Sequence, residues 1–105
     1  MRALSEHLEA INSFLPALHD GFFIESYDGS AERLVILGTS DISYRRDLVI
    51  TCTSPLEVRF APVFRADAVR LTKEVSGQQV LEMLEDGKVM LSVRGGVFSF
   101  ECAHV

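Results

Sequence analysis

Two cysteines, Cys52 and Cys102, and three histidines, His7, His19 and His104, are the residues of this 105-residue chain best suited to ligate a metal or pair a nucleophile with a base. A structural zinc site needs about four Cys or His ligands at close spacing. No four of these five stand at such a spacing, so neither a metal nor a cofactor is expected. Cys52 with His104 or His19 is the conceivable thiol pair. A reactive cysteine needs an electropositive, partly exposed setting. Cys52 instead alternates with Leu48 and Ile50, which predicts a core position on a strand. Paired carboxylates do acid–base work only when held together with split pKa values. Asp41, Asp47, Glu57 and Asp67 are spread over strands and loops, with nothing to bring two of them together. No G-x-S-x-G elbow and no glycine-rich phosphate loop is present. The chain reads as a non-enzyme.

The arginines are the more suggestive group. Arg outnumbers Lys eight to two, and its planar fork suits bidentate contacts to carboxylates or phosphates. Arg45 and Arg46 open a strand beside Tyr44, and Arg59 follows on a neighbouring segment. Interfaces are enriched in Arg and Tyr, so Tyr44, Arg45, Arg46 and Arg59 form a candidate partner-binding cluster. The plainer reading is a solvated face that pairs with local Asp and Glu. For a small-molecule site in a cavity between helix and sheet, the polar groups to inspect are His19, Tyr27 and Arg45.

Charge is uneven. Residues 1–32 carry one Arg against six acids, 33–73 carry seven Lys/Arg against four, and 74–105 carry two against five, for a net charge of −5. Nucleic acid is an improbable partner for so acidic a chain, because phosphate contacts need clustered cations. No run approaches the roughly 20 apolar residues that cross a bilayer. Glu6, His7 and Glu9 interrupt any signal-peptide core. A cytoplasmic location is expected, and two cysteines without close spacing suit reducing conditions.

The elements that must position these residues form one expected domain over 1–105. Leu4, Leu8, Ile11, Leu15 and Leu18 recur at helical steps, with Pro16 ending or kinking the helix near Ser13 to Leu15. Strands are expected at Phe22–Tyr27, at Arg33–Leu37 with cover on both faces, at Tyr44–Thr53, around Val58–Phe60 and around Val69–Leu71. Pro62 marks an edge or bulge. Ser76 as N-cap, Val80, Leu81 and Leu84 on one face and Gly87 as C′ residue predict a second short helix near 76–86. Lys88–Val93 and Val97–Ala103 flank Arg94-Gly95-Gly96 as an expected hairpin. The fold class is α+β: a curved, mostly antiparallel sheet packed by an N-terminal helix.

The step Leu18-His19-Asp20 before the first long strand, the antiparallel meander and the tail Val89 to Val105 (VMLSVRGGVFSFECAHV) together resemble small bacterial immunity proteins of polymorphic toxin systems. That resemblance implies a non-catalytic inhibitor that binds a cognate toxin. Independently of it, His19-Asp20 reads as a helix-end turn. The leading expectation is a protein-binding domain whose partner is another protein, with a homodimer compatible. The alternatives are a small enzyme or ligand-binding domain with a helix–sheet cavity, or an acidic secretion chaperone.

Overall fold

The computed structural model describes residues 2–18, 21–28, 32–40 and 47–102. The chain begins with a short strand, β1 (Arg2–Ala3), and one helix, α1 (Leu8–Phe14), which is flanked by 3-10 turns at Leu4–Glu6 and Leu15–Ala17. The remaining strands are β2 (Gly21–Asp28), β3 (Arg33–Thr39), β4 (Leu48–Thr53), β5 (Glu57–Phe60), β6 (Val63–Phe64), β7 (Ala68–Lys73), β8 (Gln79–Glu85), β9 (Lys88–Arg94) and β10 (Val97–Glu101). They pair antiparallel in two sheets, one in the order β1-β10-β4-β3-β2-β6 and the other β5-β9-β8-β7. In the first, β10 lies between β1 and β4, two strands far from it in sequence.

One apolar cluster joins both sheets and the helical segment. On the inner face of the larger sheet, Leu34, Cys52 and Phe98 form one cross-strand row, and Ile36, Ile50 and Phe100 the next. Val69, Leu81, Met83, Leu91 and Val93 face them from the smaller sheet. The helical period places Leu4, Ile11, Leu15 and Leu18 in this core, although only Leu8–Phe14 is α-helical. Pro16 sits at the start of the following 3-10 turn, where a missing N–H breaks no helix bond. Val35, Leu37 and Val49 form a smaller cluster with Phe23 on the opposite face, so β3 is buried on both sides as its sequence predicts.

Asn12 fastens α1 to the exposed edge of β7. Its side-chain amide donates to the Val69 carbonyl at 2.8 Å, and its Oδ1 accepts the Val69 N–H at 2.8 Å. The side chain thus imitates one residue of a neighbouring strand and caps an edge that could otherwise template aggregation.

Two expectations are corrected. Residues 76–86 are not a helix: Gln79–Glu85 is strand β8, paired on both sides. Asp86 (φ 52°) and Gly87 (φ 80°) form the two-residue turn into β9, and Asp-Gly is a strong signal for a type I′ hairpin turn. The Val80, Leu81 and Leu84 spacing misled because β8 carries apolar residues on both faces: Leu81 and Met83 enter the core, while Val80 and Leu84 alternate with them outside it, Leu84 buried all the same. Nor do β9 and β10 form a hairpin. β9 belongs to the smaller sheet and β10 to the larger.

The chain crosses between sheets at Gly95-Gly96, beside a second crossing at Ser54–Leu56 from β4 to β5. Pairing continues on both sides of this corner, Val97 with Thr53 and Glu57 with Arg94. The result is a single ribbon bent across two sheets, a device that makes corners in β structures. A Cβ on Gly96 would stand 2.4 Å from the Thr53 carbonyl oxygen, and its φ is +89°, so only glycine fits.

Candidate functional site

Of the expected partner-binding cluster, Tyr44, Arg45 and Arg46 lie outside the described residues. What is described is the base of that segment. The buried Asp47 carboxylate accepts the Ser40 backbone N–H at 2.8 Å and the Ser40 hydroxyl at 2.7 Å, joining the ends of β3 and β4.

Arg59 is on β5, with its side chain 80% exposed and its Nε 3.0 Å from the Glu57 carboxylate. It belongs to a lattice of charges on the outer face of the smaller sheet. Arg94 reaches Glu57 at 3.7 Å and Glu74 at 3.8 Å, and Arg70 reaches Glu82 at 2.8 Å. The arginines on this face are therefore matched by local carboxylates, and such exposed pairs contribute little stability. A groove of about 670 Å³ opens on the same face, lined by Arg59, Phe60, Lys88, Val89, Met90 and Ser92 among others.

The backbone of β5 is the feature that sequence reasoning missed. Among the described residues β5 pairs with β9 alone. Gly95 N donates to Gln79 O, while Leu56 N and Ala61 N donate to Arg94 O and Met90 O. Antiparallel ladders alternate. Glu57, Arg59 and Ala61 therefore turn their backbone groups toward β9, and Val58 and Phe60 turn theirs toward the open edge. Large apolar side chains flank that edge: Leu56 is 62% exposed, Phe60 40% and Val63 69%. Pro62 was legible as an edge signal, but which side of which strand stays open depends on pairing to β9, about 30 residues later.

The alternative ligand cavity between helix and sheet is filled. Leu4, Ile11, Leu15, Leu18 and Phe22 occupy that space, each 3% exposed or less. Tyr27, expected to line it, instead pairs with Leu34 at the end of β2 and is 52% exposed. His19 and Arg45, its other expected members, lie outside the described residues. A shallow groove of about 320 Å³ crosses the outer face of the larger sheet over Val35, Val49 and Thr51, rimmed by Glu25, Arg33 and Glu101.

Among the described residues the remaining reactive groups have structural roles, and His104 lies outside them. Cys52 is fully buried opposite Phe98, and desolvation pushes its thiol up to about 12. Cys102 follows Glu101, four residues along β10 from Phe98, roughly 13 Å at about 3.3 Å per residue, too far for a disulfide. The His7 ring packs edge-on against Phe100 with centroids 5.3 Å apart, and the Arg2 guanidinium lies 4.6 Å over the same ring. The Asp67 carboxylate accepts the Asp86 N–H at 2.8 Å, bracing the β8–β9 turn. Among the described residues no group of three or more His, Cys, Asp or Glu could hold a metal ion, and no helix is long and apolar enough to cross a membrane. Compared with protein-family models, with curated proteins and with solved structures, the chain matches none.

Proposed function

We propose that this chain is a non-catalytic, cytoplasmic protein-binding domain that engages its partner through the open edge of β5 and the surface around it. The observation that carries this reading is the pairing of outward-facing backbone groups at Val58 and Phe60 with exposed Leu56, Phe60 and Val63. An apolar strand edge that no described strand covers is an aggregation liability of the kind proteins normally blunt, and strand addition is a common way to use one. The opposite edge of the same sheet is capped by Asn12, which sharpens the contrast. An immunity-type inhibitor of a bacterial toxin is the specific form suggested by the Leu18-His19-Asp20 step and the strand-rich tail.

The test is affinity capture from the native host with the tagged chain, followed by mass spectrometry of anything retained stoichiometrically. Val58→Pro removes an outward N–H that β9 does not use, so it blocks the edge and leaves the β5–β9 hydrogen bonds in place, and a thermal melt measures what the lost packing of Val58 on the core costs. Loss of the partner with Val58→Pro supports the edge. Loss only with a Tyr44/Arg45/Arg46 triple alanine variant moves the site to that segment. Retention by both variants overturns the proposed surface.

A further inference from the structure

We infer that the partner fitting the β5 edge is a second copy of this chain, joined antiparallel about a two-fold axis through Val58. This rests on the reading of β5 as a binding edge and names its occupant. The two four-stranded sheets would become one continuous sheet of eight.

The register follows from the backbone. A two-fold axis perpendicular to the sheet keeps each face on its own side, so the axis must pass through a residue paired with itself. Centring on Glu57 or Arg59, whose backbone groups turn toward β9, would set two like charges directly opposite each other, which is destabilising, and this leaves Val58 or Phe60. Centring on Phe60 sets Val58 against Pro62, which has no N–H to donate. Centring on Val58 lets the two Val58 residues exchange both bonds, and each Phe60 N–H donates to the Leu56 carbonyl of the other copy.

Side-chain chemistry selects the same register independently. With Val58 opposite itself, Glu57 of each copy faces Arg59 of the other. Glu57 and Arg59 already pair at 3.0 Å within one chain. Across the axis they complete a quartet in which each charge has two neighbours of opposite sign. On the other face, Leu56 (62% exposed) meets Phe60 (40% exposed) of the second copy, twice, on either side of the Val58 pair. The strand is thus self-complementary in charge on one face and in apolar surface on the other. Pro62 ends the pairing, so the contact is short. Interfaces below about 1,200 Å² are typical of weak or transient pairs, and the dimer is therefore expected to be concentration-dependent.

Sedimentation velocity of the full chain over a range of concentrations is the test, with Glu57→Arg and Arg59→Glu as probes. Both positions are exposed, so each variant should fold, which a thermal melt verifies. Each places two like-charged pairs across the axis and is expected to raise the dimer dissociation constant about tenfold. The double variant E57R/R59E restores both pairs and the dimer. Mixing E57R with R59E should give a heterodimer, seen by native mass spectrometry, in preference to either homodimer. A wild-type chain monomeric up to its solubility limit overturns the inference. So does a dimer indifferent to these reversals. If the chain is monomeric yet a captured partner is lost with Val58→Pro, the binding edge stands and only the second copy is refuted. If the chain is monomeric and capture is unaffected, both readings fall.

Discussion

Removing the Asn12 side chain should cost the fold far more than its place on a short, partly exposed helix suggests. Asn12→Ala strips the side-chain cap from Val69, whose N–H and C=O face away from β8 and are held at 2.8 Å each. A buried backbone group left unpaired costs about 1–3 kcal/mol. Val69 is 3% exposed, but the bonds lie at a partly open edge, so the low end applies, about 1–1.5 kcal/mol for each group. Alanine returns roughly 0.5 kcal/mol through its better helix propensity. The net loss is about 2 kcal/mol. With a urea m-value of about 1–2 kcal/mol/M, the unfolding midpoint should fall by roughly 1–2 M at unchanged slope. Hydrogen exchange at the Val69 amide should accelerate in step. Ser13→Ala, which removes only an exposed bond to the Glu9 carbonyl, is the control and should change stability by less than about 0.5 kcal/mol. Asn12→Asp keeps the acceptor and loses the donor. It sets an acceptor against the Val69 carbonyl, so it should not restore wild-type stability. A midpoint for Asn12→Ala equal to that of the control would refute the clamp.

Gly96→Ala should destabilise severely or prevent folding, because the new Cβ would stand 2.4 Å from the Thr53 carbonyl oxygen. Gly77→Ala, also at positive φ (+90°) but with nothing within 4 Å, should cost only the backbone strain of about 1–2 kcal/mol; urea titration compares them. Cys52 should resist alkylation at pH 8 until the chain unfolds, since burial raises its thiol from 9.0 to about 12. Its neutral form stabilises the fold fully below pH 9. That contribution is lost between about 9 and 12 at up to roughly 1.4 kcal/mol per pH unit, and Cys52→Ala should abolish this part of the alkaline slope. Asp47→Ala leaves the Ser40 N–H and hydroxyl without their shared acceptor. It should cost about 2 kcal/mol, and Ser40→Ala less, as read from thermal melts.

What the sequence made legible was local. Alternation placed Leu48, Ile50 and Cys52 on one inner face, the helical step placed Ile11 and Leu15 in the core, and the uninterrupted run at 34–37 foretold burial on both sides. It was silent where pairing is long-range. Val80, Leu81 and Leu84 fit a helix face as well as a strand with apolar residues on both faces. Gly95-Gly96 announced positive φ but not that the chain would change sheets there, because that depends on Ser54–Leu56 making the same turn alongside. The arginines were visible as a group, and Glu57 stands two residues from Arg59 on one strand, yet Arg70 met Glu82 only through the register of β7 with β8, and Arg94 met Glu57 only through that of β9 with β5. The open edge of β5 is a property of the finished ladder and has no signature in the four residues that form it.

The place of β10 between β1 and β4 has a consequence for the chain's first moments. During synthesis, β2, β3 and β4 can pair as soon as Thr53 has emerged. The far edge of β4 must then wait more than forty residues for Val97–Glu101. β1 waits longer still, since Arg2 finds its partner only at Phe100. Throughout that interval the nascent protein carries a strand paired on one side only, opening Leu48-Val49-Ile50, the kind of edge that recruits chaperones or like chains. Its hazard is therefore greatest on the ribosome, and the rate of elongation between residues 53 and 97 sets how long it lasts.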